Sequence, residues 1–132
     1  MKTVTVLLLA ILCFGCGGYS APKTPPPQAG VVPAIAAIIP NAANHGDPGF
    51  TLTVNGSTFN TNAVVNWNGV AQTNTTHLAM NQLTVAVPAS AIATAGTVEV
   101  SVTNPGSSTP GGPYGGTSTK SETSASMTFT IN

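Results

Sequence analysis

Five short segments after residue 49 alternate apolar and polar positions with a period of two. Phe50, Leu52 and Val54 share one face of the first, before Asn55-Gly56-Ser57 signals a turn. Val65-Asn66-Trp67 is the second, and Asn68-Gly69 after it is a strong two-residue hairpin signal. Leu83, Val85 and Val87 form a third face closed by Pro88, and Val98, Val100 and Val102 a fourth closed by Asn104-Pro105-Gly106. Met127, Phe129 and Ile131 form the last. Successive strand side chains point to opposite faces, so each pattern predicts a strand with one face buried. Past the N-terminal apolar run no window carries a 3.6-residue apolar stripe, and Ala89 to Ala93 can hold at most a single turn. Strands recurring at about ten-residue spacing predict an all-β protein, an antiparallel β-sandwich.

A different pattern precedes them. Lys2 is followed by the apolar run Val4 to Phe14 and then by Gly15-Cys16-Gly17-Gly18, the charge, apolar core and small-residue order of an export signal. The run is about eleven residues long, against about twenty for a membrane-spanning helix. Cys13-Phe14-Gly15-Cys16 resembles the bacterial lipobox, which implies that Cys16 is lipidated and becomes the mature N-terminus; Cys13 stands where that motif usually has Leu. Ordinary signal cleavage, with secretion, is the rival reading. Cys13 and Cys16 also form a C-x-x-C, but at the end of a targeting segment that spacing does not read as a redox pair. Gly17 to Pro33 carries Pro22, Pro25, Pro26, Pro27 and Pro33 with little that could pack, so it reads as a tether reaching roughly 50 Å in polyproline geometry. The expected organisation is a signal over 1–16, a tether over 17–33 and one domain over 34–132.

Composition narrows the chemistry. Charged residues make up 5% of the chain, against about 25% in an ordinary soluble protein, and the formal net charge is zero. Lys23 and Lys120 are the only basic residues after the signal, so several phosphates cannot be neutralised and nucleic acid is excluded as a partner. With both cysteines at the signal, no disulfide staples the domain and its stability must come from apolar burial.

The strand segments together resemble the IPT/TIG domain, an immunoglobulin-like sandwich. Pro33-Ala34-Ile35 with Ile38-Ile39-Pro40 is similar to the opening strand and its proline break, and FTLTVNGSTF (Phe50 to Phe59) to the second strand and its turn. Val64 to Gly69, QLTVAVPA from Gln82, GTVEVSVTNPG from Gly96 and MTFTI from Met127 resemble the remaining strands in order. The resemblance implies an immunoglobulin-like fold of the early-set type and a non-enzymatic envelope module for adhesion, scaffolding or protein–protein interaction. A carbohydrate-binding accessory to a polysaccharide-degrading system is the alternative. One departure stands out: Ser107 to Ser126, rich in Gly, Ser, Thr and Pro, fills what is usually a short turn, and its composition predicts a mobile loop that is also the expected partner surface.

Single residues add little chemistry. Trp67 is expected to fill the core. Tyr114, among glycines, is the candidate exposed binding aromatic. His77 falls where the resemblance implies a strand aromatic covering the sandwich edge. His45 and Asp47 fit a turn, and Asp47, Glu99 and Glu122 are too scattered to hold a metal or to act as paired acid and base, so no cofactor, metal or catalytic residue is expected. Asn55-Gly56-Ser57 and Asn74-Thr75-Thr76 match the glycosylation pattern but read as ordinary turn and strand residues. The expected location is the cell envelope, held to a membrane by the lipid on Cys16; the partner, an envelope protein or a glycan, is not named by any motif.

Overall fold

The computed structural model describes residues 25–111 and 115–132. In chain order the strands are β1 (Ala34–Ile39), β2 (Ala42–Ala43), β3 (Phe50–Ser57), β4 (Val64–Trp67), β5 (Val70–Ala71), β6 (Thr75–Ala79), β7 (Gln82–Val87) and β8 (Gly96–Asn104), followed by β9 (Ser108–Thr109), β10 (Thr117–Ser118), β11 (Glu122–Thr123) and β12 (Met127–Ile131). The one helical element among the described residues is a 3-10 turn over Ala89–Ile92, where the sequence allowed no more than that.

Two sheets face one another. One is antiparallel and four-stranded in the order β1-β3-β7-β6; the other runs β2-β12-β8-β4-β5, with β11 beside β8. Leu52, Val54, Leu83 and Val85 from the first sheet and Val65, Val100, Val102 and Phe129 from the second are buried between them, as their alternation predicts. Each such side chain contributes about 1.5–3 kcal/mol by leaving water. The proline break has a topological role: β1 pairs with β3, but past Pro40 the chain crosses to the other sheet and β2 pairs with β12 in parallel, Ala42 opposite Thr130. The opening strand therefore spans both layers and closes one side of the sandwich.

Asn68-Gly69 does what its sequence predicts. Trp67 pairs with Val70 across a two-residue turn whose φ values are 50° and 79°, the left-handed pair a tight hairpin needs. Asn55-Gly56-Ser57 does not turn. β3 runs through it to Ser57, pairing with β1 and reaching β7 at Gln82. The glycine is there for close approach, since a Cβ on Gly56 would run into the Ala34 carbonyl oxygen and the Phe59 ring. β6, with its polar sequence Thr-Thr-His-Leu-Ala, has too little apolar alternation to be read as a strand and owes its form to pairing with β7.

Two expectations are corrected. Within Ser107 to Ser126 the described residues do not form a free loop. β9 pairs with β10, the Thr119 amide donates to the Ser107 carbonyl (2.7 Å), and β11 continues the line of β12 along β8, Glu122 opposite Asn104. Between β11 and β12 the buried Ser124 takes over from backbone pairing: its hydroxyl accepts from the Val102 amide (3.0 Å) while its own amide donates to the Val102 carbonyl (2.8 Å). The second correction concerns the tether, whose last residues pack. The Gln28 amide donates to the Ser118 carbonyl (2.8 Å), the Lys120 amide donates to the Gln28 carbonyl (2.9 Å), and Pro33 is fully buried. Backbone groups make these bonds, and so a composition of Gly, Pro and Ser gave no sign of them.

Candidate functional site

Cys16 and Tyr114, the lipidation and binding candidates, lie outside the described residues. The other candidates have structural roles. Trp67 is buried with its ring 5.1 Å from that of Phe129 at 55°, and Phe129 stacks on Phe50 at 5.5 Å and 12°. Three aromatics thus form one interior cluster, as expected for Trp67, and leave no indole face for a sugar.

His45 and Asp47 form a turn, as expected. The Asn44 amide donates to Asp47 Oδ2 (2.9 Å) and the Asp47 amide to the Asn44 carbonyl (3.2 Å). His45 ties this turn to β12: its amide (2.8 Å) and its Nδ1 (2.7 Å) both meet the Asn132 carbonyl. His77 is part-buried under the β3–β4 crossing, with Nε2 3.3 Å from the Phe59 carbonyl. Asn55 accepts from Gln82 Nε2 (3.0 Å) and Asn74 donates to the Ala86 carbonyl (2.8 Å), so both glycosylation matches have strand and turn roles. Among the described residues no group of three potential metal ligands converges.

Charge is as sparse in space as in sequence. Glu99, exposed on β8, accepts from the Thr128 hydroxyl at 3.0 Å, and hydrogen bonds from Ser126 and Thr128 hold its carboxyl below the usual range. A carboxyl with a lowered value is a poor proton donor near neutrality. Its contribution to stability is present above the unfolded-state value and is lost as pH falls through the lower folded-state one. Acid melts of Glu99→Gln against the parent should therefore converge as pH falls through that window, and a constant gap down to strong acid would contradict the assignment.

The side chains with the most bonding were not singled out by sequence. Asn66 donates to the hydroxyls of Ser101 (3.2 Å) and Thr103 (2.8 Å), and Thr103 meets Thr123 at 2.8 Å, giving the larger sheet an outer face of mutually bonded amides and hydroxyls. Asn104 is buried where β8 ends. Its Nδ2 donates to the Val31 and Thr58 carbonyls, both at 2.8 Å, and its Oδ1 accepts from the Asn60 amide at 2.9 Å. It reads in sequence as one member of a turn triplet, and only the fold brings its three partners together.

Open depressions mark both ends of the sandwich. At the end where β8 finishes, one of about 340 Å³ lined by Asn60, Asn62, Met80 and Pro105 adjoins a smaller one that shares Asn60 and Pro105. At the opposite end, depressions of about 600 and 300 Å³ share Gly49 and Phe50, with Asn74 and Pro88 on one side and Pro40 and Pro48 on the other. None places acid, base and nucleophile together. No helix among the described residues is long and apolar enough to cross a membrane.

A family model described as the IPT/TIG domain matches residues 33–131. Its start coincides with buried Pro33, just before β1, and its end with the last residue of β12. No curated protein and no solved structure matches the chain.

Proposed function

The chain belongs to the IPT/TIG domain family, and on that premise we propose that it is a non-enzymatic cell-envelope lipoprotein, held to a membrane through Cys16, whose immunoglobulin-like module acts in adhesion, scaffolding or protein–protein interaction. The observation that carries this reading is how the polar side chains are used. Among the described residues every buried side-chain nitrogen and oxygen has a hydrogen-bond partner, and the bonds of His45, Asp47, His77 and Asn104 hold strands and turns together. These groups serve the fold, and the zero net charge of the chain leaves a near-neutral surface suited to contact.

The partner surface belongs on the end bearing Gly49 and Phe50. The opposite end receives the N-terminal segment through Gln28, so an anchor at Cys16 would hold that end toward the membrane and leave the Phe50 end facing outward. The glycan alternative is weakened by the burial of Trp67, which leaves Tyr114 as the aromatic to carry it.

The anchor is tested by growing cells with labelled palmitate. Label is expected in the parent and in Cys13→Ser, and not in Cys16→Ser. A mature N-terminus beyond Gly18 without lipid, found by mass spectrometry, would remove the lipoprotein reading. A glycan array on the same protein, blank under this reading and positive but sensitive to Tyr114→Ala under the other, separates the two partner classes.

A further inference from the structure

Six large apolar side chains are strongly exposed among the described residues, and four of them, Val31 (53%), Val32 (57%), Leu78 (57%) and Met80 (73%), belong to one end of the sandwich. Strand register puts them there: Ala34 at the start of β1 lies opposite Ser57, and Ala79 at the end of β6 is linked through Gln82 to Asn55. The crossing from β3 to β4 draws them closer. Thr58 donates its hydroxyl to the Val32 carbonyl (2.9 Å) and the Phe59 amide donates to the Met80 carbonyl (2.9 Å), so the valine pair and Met80 bracket residues 58–59. A cluster of exposed apolar side chains at one place needs a reason, whereas single ones do not.

The same end is where the chain before β1 joins the domain, since Gln28 bridges to Thr119. We propose that this end rests on the lipid surface to which the chain is anchored, with Val31, Val32, Leu78 and Met80 entering the boundary between headgroups and acyl chains. The proposal rests on the lipoprotein reading of Cys16. Because Gln28, Val31 and Pro33 are held by the domain, only the twelve-residue step from Cys16 to Gln28 separates anchor from domain, a reach of roughly 37 Å at polyproline rise. Attachment at that distance keeps the apolar end beside the bilayer at high effective concentration, so a few side chains suffice where they could not recruit a free protein. Charge fits as well. Lys120 and Glu122, two residues apart in the segment beside Gly30, carry opposite formal charges that sum to zero, while Asp47 and Glu99 lie away from this end, the first in the turn bonded to Asn132 after β12 and the second opposite Thr128. A neutral apolar end meets a lipid surface without repulsion.

The test uses the full lipidated chain in phosphatidylcholine vesicles with brominated acyl chains. An environment-sensitive fluorophore is placed at Val32→Cys, at Met80→Cys or, as a control on β5, at Val70→Cys. Buried Trp67 reports that each variant is folded, and palmitate label reports that each is anchored. Quenching at positions 32 and 80 is expected to exceed that at position 70 at least threefold. Equal quenching at all three positions in labelled, folded protein overturns the docking and leaves the anchor standing. Protection of positions 32 and 80 that depends on protein density and not on bromine also overturns it, in favour of a second copy as the occupant. Absence of palmitate from the parent removes the anchor itself, a different failure with its own readout.

Discussion

Phe129→Ala is expected to cost about 3–5 kcal/mol, the range for large buried aromatics. Phe129 is fully buried on β12 and is the member of the aromatic cluster that touches both others, Phe50 on the first sheet and Trp67 on the second. Its removal opens a void bordered by both sheets, and rigid strands paired on each side cannot collapse to fill it. It also removes two ring–ring contacts, each worth about 0.5–1.5 kcal/mol beyond area. Domains of this size have total stabilities of about 5–15 kcal/mol, so the substitution removes from about a fifth of that stability to all of it. Urea titration of parent and variant reads the difference in midpoint at unchanged slope. Val70→Ala, on an exposed position of β5, should fall within about 0.5 kcal/mol. Trp67→Ala should match the Phe129 variant, and the double variant should cost less than the sum because the two share one cavity. A loss under about 1 kcal/mol at Phe129 would mean that β12 does not present this face to the core.

Alternation made the sandwich legible because both sheets bury one face and leave the other wet, which writes a period of two into β3, β7, β8 and β12. The hairpin after Trp67 was legible because Asn68 and Gly69 are residue types that accept the two left-handed φ values the turn needs. Signals failed where a residue type has two physical roles. Gly56 supplies close approach inside a strand, yet its neighbours Asn55 and Ser57 are turn formers, so local chemistry pointed to a break that pairing on both sides overrides. Ser124 lies in a Gly, Ser and Thr run that reads as mobile, although its hydroxyl and amide together replace a ladder rung on Val102. At Gln28 and Thr119 the bonds are made by backbone, which every residue carries, and no side-chain pattern announces them. Of the site, sequence identified Trp67 as core and His45 and Asp47 as a turn. It missed Asn104 because that role depends on three segments separated by many residues of chain.

Asn104→Ala is expected to cost about 2–4 kcal/mol, from about 1–3 kcal/mol for each buried polar group left without a partner, reduced because water can reach a cavity at the sandwich end. The substitution strips the Val31 and Thr58 carbonyls of their donor and the Asn60 amide of its acceptor. Its effect is spatial as well as energetic. The three groups belong to the segment before β1, the end of β3 and the approach to β4, and Asn104 joins them at the point where β8 meets β11. Amide exchange should therefore rise first around residues 28–33 and 58–60, while protection in β7 and at the centre of β8 falls only by the global loss. Asn104→Asp makes the sharper comparison. It keeps an oxygen for the Asn60 amide but turns the donor to two carbonyls into an acceptor, so at neutral pH it should be worse than alanine and should recover as the carboxyl is protonated. Releasing residues 28–33 would also lengthen the reach between Cys16 and the domain from roughly 37 Å toward 50 Å at polyproline rise, and with it loosen the hold of the Val31 and Val32 end on a lipid surface. Exchange that rises evenly over the whole domain, with no early release at 28–33, would show that Asn104 acts as an ordinary core residue and not as the clasp between the N-terminal segment and the sandwich.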